Sequence, residues 1–482
     1  MTLRNKKICD KNMSFSECEI AILRMQIDKI EKKVGQRLVN NEDIKKILGI
    51  VESFIRNKGL VCYGGLAIDK LLPENDKIYN QDIDLPDYDF FSSNAIQDAK
   101  ELGDIYVKNG YEEVEVKSGQ HHNTYKVFVN FIPIADITFL HKELFSTIKK
   151  HAIKKAGILY TDPNFLRMGM YLELSRPEGD NSRFEKVLKR LILINKYYPL
   201  TNIHCIHTNF QRKMANKSQE DTIYETILNS FIDQGVIFFG GYAVTLYSRY
   251  MPYNLRHRLE KFADFDILSN DPLETAEIVK EQLQEHGIHK VTIVAHDPIG
   301  EIIPLHYELK VGKDTVAFIY KPIACHSYNI IYIHNKKIKV ATIDTMLSFY
   351  LAFLYANKPY YDTNRILCMS KFLFDVQQKN RLAQKGLLKR FSIQCYGHQE
   401  TVEEIRAKKT DKFIELKNRR ESKEYEEWFL NYRPFDKKKK TLKNKKKQST
   451  EKKTIYKKPI YKKRKPSTKK RQKVSNRNIW NL

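Results

Sequence analysis

The sequence has no long hydrophobic run. None of its apolar stretches reaches the about 18 residues that a membrane-spanning helix needs, and the first residues, MTLRNKKICDKNMSF, contain no apolar core of a secretory signal. We therefore expect a protein that is not secreted by that route and has no place in a membrane. Its 482 residues, of which 42% are hydrophobic, predict two or three domains that each bury a core.

Cysteine is scarce, and its spacing suggests neither a metal site nor a disulfide framework. The seven cysteines form no CxxC pair and no metal-like spacing with histidine. Because their number is odd and their positions are irregular, we expect buried thiols in a reducing compartment.

Acidic residues are nearly absent from the C-terminal stretch. Residues 437–477 contain 21 Lys or Arg and one acid, Glu451, which gives them +20 of the chain's formal net charge of +26. So little apolar surface cannot offset the entropy cost of ordering, and we expect disorder. The stretch is either a solvated appendage or an arm that binds nucleic acid, with Tyr456 and Tyr461 available to stack on bases.

One unit of sequence occurs twice. SFIRNKGLVCYGG, ending at Gly65, is matched by SFIDQGVIFFGG, and DYDFFSS, beginning at Asp87, is matched by DFDILSN. The first glycine of the pair and the first aspartate are 23 residues apart in one copy and 24 in the other. In both copies a glycine placed to end a helix follows the second aspartate by 21 residues. The common order and spacing predict the duplication of one α/β unit.

The first copy carries three candidate catalytic carboxylates. Asp87 and Asp89 lie two apart on a predicted strand, so their side chains share a face. Asp136 stands alone in the apolar strand YKVFVNFIPIADITFLH, where an uncompensated carboxylate is costly. Three such groups suit Mg²⁺ or Mn²⁺, and a pair of these ions promotes nucleotidyl transfer. The alternatives are that Asp136 is an ordinary core aspartate, or that Asp82 and Asp84 form the pair, although the repeat favours Asp87 and Asp89.

The Gly-Gly turn is a candidate phosphate site. Gly64 and Gly65 would expose backbone amides at the start of a helix, where phosphate is favoured, and a packing turn explains the same pair equally well. The second copy keeps its Gly-Gly and its Asp-x-Asp, but Ala317 aligns with Asp136. We therefore expect the second copy to be catalytically silent.

Together these motifs resemble the nucleotidyltransferase superfamily, whose signature is a Gly-Gly or Gly-Ser turn, an Asp-x-Asp and a third Asp on a later strand. The YGG start, the long loop from Gly65 to Asp87 and the duplicated domain are similar to the poly(A) polymerase catalytic subunit of large cytoplasmic DNA viruses. The segment RMGMYLELSRPEGDNSRFEKVLKRLILINKYYP resembles the basic helix ending in Tyr-Pro of the same family. The likeness covers roughly residues 40–350.

This resemblance implies a template-independent polynucleotide adenylyltransferase that adds adenylates from ATP to the 3′ end of mRNA with two Mg²⁺ or Mn²⁺ ions. It assigns Asp87, Asp89 and Asp136 to metal binding and catalysis, Gly64 and Gly65 to ATP, and Arg183 and Lys186 to RNA or phosphate, unless these last two are ordinary surface residues. Some relatives are homodimers, and the family implies the host cytoplasm and the virion as locations. The alternatives are another nucleotidyltransferase, with a different NTP or a small-nucleotide acceptor, and a non-enzymatic RNA-binding scaffold.

The expected fold class is α/β (α+β), with two tandem nucleotidyltransferase-like domains of which the second is degenerate. The expected segments are an N-terminal helical segment 1–40, a catalytic domain 41–200, a linker 201–214, a degenerate domain 215–340, a helical region 341–435 and a disordered Lys-rich tail 436–482.

Overall fold

A computed structural model describes residues 8–10, 12–200, 205, 208–215, 217–251, 253, 262 and 264–435. The contacts divide the chain into two units, Met1–Pro434 and Phe435–Leu482. The tail predicted to be disordered, 436–482, lies outside the described residues. No helix within the described ranges is long and apolar enough to cross a membrane.

Helices and strands alternate along most of the described chain. The helices are α1 Phe15–Val39, α2 Glu42–Lys58, α3 Gly64–Leu71, α4 Ala95–Lys108, α5 Lys142–His151, α6 Pro163–Leu174, α7 Phe184–Tyr197, α8 Glu220–Asp233, α9 Gly241–Leu246, α10 Pro272–Glu285, α11 Ile343–Phe353, α12 Thr363–Lys379, α13 Val402–Leu416 and α14 Lys423–Phe429. The strands are β1 Val61–Cys62, β2 Tyr88–Ser92, β3 Val114–Ser118, β4 Thr124–Val129, β5 Ile132–Phe139, β6 Ile153–Lys155, β7 Ile158–Tyr160, β8 Ile237–Phe238, β9 Phe265–Leu268, β10 Val291–His296, β11 His306–Val311, β12 Asp314–Tyr320, β13 His326–Ile333, β14 Lys336–Ala341, β15 Cys395–Tyr396 and β16 Asn431–Tyr432.

Two eight-stranded sheets share one strand order over seven strands. The first runs β16-β3-β4-β5-β2-β1-β7-β6, and the second runs β10-β11-β12-β9-β8-β14-β13-β15. In both sheets the two-residue strand before the Gly-Gly turn pairs antiparallel with the strand that carries the second aspartate of Asp-x-Asp. That strand pairs parallel with the strand expected to carry the third carboxylate. The predicted duplication is confirmed, and it also includes the hairpins β6–β7 and β13–β14.

A glycine follows the helix before each Gly-Gly strand. Gly59 follows α2 with φ of 61°, and Gly235 follows α8 with φ of 66°. A residue with a Cβ would be strained by about 1–2 kcal/mol in this left-handed conformation. The recurrence of glycine at these two positions of the repeat therefore has a direct steric cause.

The two halves meet through helices that correspond in the repeat. α6 follows β7, α11 follows β14, and these two helices pack against each other. Tyr355, which follows α11, donates a hydrogen bond to the carboxylate of Asp162, the N-cap of α6, at 2.7 and 2.8 Å. The repeat thus continues beyond residue 340. The region expected to be helical also contributes β15 and β16, which extend the two sheets at their edges.

The N-terminal helix is confirmed as α1. Ser14 and Glu17 form a capping box at its start, and Gly35 near its other end is buried. Most of the apolar row along α1 faces solvent: Ile20, Leu23, Ile27, Ile30 and Val34 are exposed.

The expectation of free thiols is wrong for six of the seven cysteines. The structure pairs Cys9 with Cys18, Cys205 with Cys368 and Cys325 with Cys395, and leaves Cys62 as a buried thiol. Two of these pairs are 163 and 70 residues apart in sequence. Only the folded chain brings them together, so no local spacing could report them.

Candidate active site

Two of the predicted carboxylates lie side by side on neighbouring strands. Asp89 on β2 is the direct register partner of Asp136 on β5, in a parallel pair. Asp87 comes just before β2, and the residue between the two aspartates, Tyr88, is buried and donates a hydrogen bond to Glu52 at 2.5 Å. Alternation along the strand therefore turns Tyr88 into the core and leaves Asp87 and Asp89 on the opposite side.

The three carboxylates interact strongly by charge. Burial, followed by the charges of Asp87 and Asp136, raises the pKa of Asp89 to about 7. The pKa of Asp87 is raised by neighbouring protein that displaces water, and then by the charge of Asp136. Lys126 on β4 contacts the carboxylate of Asp136 and lowers the pKa of both other aspartates. Such mutual repulsion means that the ionised site favours a cation.

The Gly-Gly turn runs against this carboxylate group. Gly64 has φ of 69°, and a Cβ there would lie 2.8 Å from Asp89 Oδ2. Tyr63 donates its backbone N–H to Asp89 O at 3.0 Å, and its hydroxyl lies 2.8 Å from Thr138 Oγ1. The turn is thus held beside Asp89 at a distance that only glycine allows.

Two residues that the sequence did not point to, Tyr79 and Arg190, complete the turn. A Cβ on Gly65 would lie 2.1 Å from the Tyr79 hydroxyl and 3.1 Å from Arg190 Nη2. Arg190 Nη2 donates to that hydroxyl at 3.2 Å, and its charge lowers the pKa of Asp89. Asp69, buried on α3, accepts the backbone N–H of Tyr79 at 3.1 Å and so positions the loop.

The predicted basic residues lie on the helix that carries Arg190. Arg183 immediately precedes α7 and forms an ion pair with Glu173 at 3.3 Å, while Lys186 is exposed on α7. Spacings of three and four residues put Arg183, Lys186 and Arg190 on one helix face. This periodicity is the signal that would have drawn attention to Arg190.

The rival aspartates lie apart from strand β2. Asp82 and Asp84 are exposed in the turn before it, where the Asp84 carboxylate accepts the backbone N–H of Asn80 at 2.7 Å. The register of β2 with β5 therefore favours Asp87 and Asp89 as the pair that approaches Asp136.

In the second copy, arginines hold the corresponding carboxylates. Asp264 is fully buried, and it accepts hydrogen bonds from Arg212 N at 2.7 Å and Arg212 Nε at 2.5 Å. Arg212 Nη2 also reaches Asp266 at 3.3 Å, and Arg365 Nη1 lies 3.5 Å from Asp264. Guanidinium groups thus supply the positive charge that this pair of carboxylates requires.

The residue at the third-carboxylate position of the second copy is Phe318. The sequence alignment with Ala317 is wrong by one residue, because Asp266 pairs in register with Phe318 as Asp89 pairs with Asp136. The Arg212 guanidinium lies 4.6 Å from the Phe318 ring centroid, a cation–π contact. The expected loss of the third carboxylate still holds.

Part of the chain is similar in sequence to known proteins. Residues 49–180 match the family model of the poly(A) polymerase catalytic subunit. A putative poly(A) polymerase catalytic subunit of an African swine fever virus isolate is 32% identical over 193 residues, which cover 39% of this chain and 40% of that relative. A protein of the same description from Acanthamoeba polyphaga mimivirus is 33% identical over 160 residues, which cover 32% and 27% of the two chains.

The resemblance to the viral poly(A) polymerase catalytic subunits is confirmed. In these matches the chain spans less than half the length of the curated relatives. The crystal structure of the Megavirus polyadenylate synthase is similar over 94% of this chain and 93% of that one, with a TM-score of 0.74 and 20% identity. The expected α/β (α+β) fold with two tandem units is thereby confirmed.

Proposed function

We propose that the protein is a template-independent polynucleotide adenylyltransferase that adds adenylates from ATP to the 3′ end of mRNA. The observation that carries this proposal is the register pairing of Asp89 with Asp136 beside Asp87, with the pKa of Asp89 raised to about 7. The family match over residues 49–180, which includes all three carboxylates and the Gly-Gly turn, supports it.

Asp87, Asp89 and Asp136 would hold two Mg²⁺ or Mn²⁺ ions. Oxygen donors from three carboxylates suit these ions. The second copy supports a cation at this position, because Arg212 places positive charge against the equivalent pair of aspartates. Bound there, the ions would activate the RNA 3′-hydroxyl and stabilise the leaving pyrophosphate. The Lys126 side chain contacts Asp136 and is 40% exposed, so it would turn toward solvent when the ions bind.

The chain's own residues would position the nucleotide. The turn at Gly64 and Gly65 would offer backbone N–H groups at the start of α3 to the triphosphate, and a Cβ there would instead clash with Asp89 or Tyr79. Arg190 supplies a fixed positive charge next to the same turn, and Tyr79 fixes its guanidinium. Together they would orient the α-phosphate toward the 3′-hydroxyl and restrict the access of water.

The RNA would follow the basic face of α7. Arg183, Lys186 and Arg190 form a line of positive charge on that face, and each phosphate they neutralise would release a counterion. The Lys-rich tail 436–482 would add a second, sequence-independent grip on RNA.

We also propose a homodimer in which two copies of α1 form a parallel coiled coil. The exposed row has heptad spacing with β-branched residues at the a positions. Leu at d favours two parallel strands, as at the first d position, whereas Ile at d, as at the second, shifts the preference toward more strands. The a positions are Ile20, Ile27 and Val34, and the d positions are Leu23 and Ile30. Light scattering should show a dimer for the full chain and a monomer for Ile27→Glu, whereas Lys29→Glu, on the outer face, should stay dimeric.

The domain boundaries and the location remain part of the proposal. Residues 41–200 would be the catalytic domain, 201–214 the linker and 215–340 the degenerate domain, preceded by the helical segment 1–40 and followed by the helical region 341–435. As a protein with viral relatives, the chain would act in the host cytoplasm and be carried in the virion.

Primer extension tests the proposed activity. The purified full chain is incubated with a labelled oligonucleotide ending in uridines, each NTP in turn, and Mg²⁺ or Mn²⁺. We expect a ladder with ATP, and Asp136→Asn should reduce extension to background because the third metal ligand is lost. The matched control is Asp314→Asn, which changes an acid on β12, the counterpart of β5, and should leave extension intact.

Three outcomes would contradict the proposal. Extension with another NTP in preference to ATP would indicate a different nucleotidyltransferase. RNA binding without extension by any NTP would indicate a scaffold. Equal extension by the Asp136→Asn and Asp314→Asn variants would remove Asp136 from the site.

A further inference from the structure

Two cysteines and a carboxylate converge at the edge of the second sheet. The two sulfurs of Cys325 and Cys395 and a carboxylate oxygen of Glu178 all lie within 4.8 Å of one another. Cys325 immediately precedes β13, and Cys395 lies on β15, where it pairs in register with Ser327. Within the described part of the chain, neither of the other two cysteine pairs gathers such a third ligand.

The backbone fixes this arrangement from both sides. Gly397 has φ of 102°, and a Cβ there would lie 2.3 Å from the Ala324 carbonyl oxygen, so the two cysteine-bearing segments approach as closely as glycine permits. Ser327 donates its N–H to Ser175 O at 2.8 Å, which docks the chain after α6 onto β13. Glu178 follows three residues later, and the bond from Gly179 N to Arg176 O at 2.9 Å closes its turn.

A disulfide alone gives Glu178 no role in this cluster. Disulfide sulfur is neutral and offers a carboxylate neither a donor nor a positive charge. When the cysteines are reduced they become thiols, and their thiolate forms would be repelled by the Glu178 carboxylate unless a cation joined them. Thiolate sulfur with a carboxylate oxygen is a ligand set that Zn²⁺ accepts, and three protein ligands leave the fourth tetrahedral position to water.

We propose that Cys325, Cys395 and Glu178 form a redox-dependent zinc site. Oxidised, the two cysteines are the disulfide seen here. A dithiol reductant breaks the S–S bond by supplying two electrons and two protons, and is itself converted to a disulfide. Zn²⁺ then binds as the two thiols release their protons to solvent, with Glu178 as the third ligand.

The site would join the two halves of the molecule. Glu178 belongs to the segment after α6 in the first half, whereas β13 and β15 belong to the second sheet. A disulfide ties only β13 to β15, and zinc would add the segment that carries Glu178. Reduction with zinc present would therefore replace a cross-link inside one half by one that spans both.

Cobalt substitution in the full-length protein tests the site. The chain is reduced with a phosphine, which cleaves the S–S bond to two thiols and is itself oxidised to the phosphine oxide, with water supplying the oxygen and the two protons. The reduced chain is then titrated with Co²⁺ and Zn²⁺. We expect a thiolate-to-cobalt charge-transfer band that one equivalent of Zn²⁺ abolishes, and no band for the oxidised chain. This band reports sulfur ligation, so ions at the aspartate site do not produce it.

Matched variants separate the ligands from their neighbours. Cys325→Ser with Cys395→Ser should abolish the band, while Cys205→Ser with Cys368→Ser, which removes another pair, should retain it. Glu178→Gln should weaken Zn²⁺ binding by more than the about 10–100-fold that is typical of an outer-shell partner. Asp180→Asn, which changes an exposed acid nearby, should leave Zn²⁺ binding unchanged.

The proposal is overturned if the reduced protein shows no charge-transfer band, or if the band survives in the Cys325→Ser, Cys395→Ser variant. Equal affinities for Glu178→Gln and Asp180→Asn would likewise overturn it. If circular dichroism shows that the double serine variant does not fold, the Zn²⁺ affinities of Glu178→Gln and Asp180→Asn alone test the proposal.

Discussion

Replacing Asp89 by asparagine should stabilise the metal-free protein at neutral pH while removing its activity. The pKa of Asp89 is raised to about 7 by burial and by the charges of Asp87 and Asp136. In the unfolded chain the same carboxyl ionises near its ordinary value of about 3.9. The folded state therefore binds the proton more tightly, and ionisation of Asp89 opposes folding.

The size of this effect follows from the pKa difference. About three pKa units at 1.36 kcal/mol each correspond to about 4 kcal/mol in total. The stabilising contribution of protonated Asp89 is complete below about pH 4 and is lost as pH rises to about 7, where it levels off. Between pH 5 and pH 7 the loss is about 2 kcal/mol of unfolding free energy, and the curve levels off above pH 7. Asparagine does not titrate, so Asp89→Asn should escape this loss.

Urea unfolding in EDTA between pH 5 and pH 8 measures the difference. The unfolding free energy of Asp89→Asn minus that of the parent chain should rise by about 2 kcal/mol between pH 5 and pH 7 and level off above pH 7. Asp82→Asn, which changes an exposed acid of the preceding turn, should give a flat difference. A flat difference for Asp89→Asn as well would refute the reasoning, since the carboxylates would then not be coupled.

Three further predictions concern the Gly-Gly turn, the second copy and the free thiol. Gly64→Ala should lower the unfolding free energy by about 1–2 kcal/mol because of its positive φ, and should weaken Mn²⁺ binding because the new Cβ meets Asp89; urea unfolding and electron paramagnetic resonance measure the two effects. Arg212→Ala should cost about 3–5 kcal/mol of unfolding free energy, since buried Asp264 loses its closest partner. Burial raises the pKa of the Cys62 thiol, so iodoacetamide should label Cys62 only after unfolding, as read by mass spectrometry.

Each of these has a matched control. Gly110 also has positive φ, 96°, but a Cβ there would meet no atom within 4 Å, so Gly110→Ala should leave Mn²⁺ binding unchanged. Arg249 is exposed, and an Arg212→Ala variant as stable as Arg249→Ala would contradict the proposed pairing. Rapid labelling of the folded chain at Cys62 would contradict its burial.

Features that depend on local backbone geometry could be predicted from the sequence. The repeat was visible because glycine is required at Gly59 and Gly235, where φ is positive, and because Asp-x-Asp follows the Gly-Gly turn at a nearly constant interval. These signals are carried by a few residues each. They do not depend on how the rest of the chain packs.

Features that depend on strand register or on distant segments of the chain could not be predicted from the sequence. The apolar strand around Ala317 has no internal marker, so an error of one residue was undetectable, although it exchanges the faces of the strand; only pairing with Asp266 identifies Phe318. Arg190 reaches the Gly-Gly turn from a helix more than a hundred residues later in the chain. The three- and four-residue spacing groups Arg190 with Arg183 and Lys186, but it does not indicate which distant segment the side chain approaches.

The arginine pair of the second copy has a consequence for how the molecule responds to its surroundings. Arg212 and Arg365 give Asp264 a permanent counter-charge from within the chain. Under the proposed function, the acids of the first copy would instead take much of theirs from bound divalent ions, so the first half alone would respond to the concentration of those ions. Depleting those ions should loosen the N-terminal sheet selectively and leave its twin as a rigid platform.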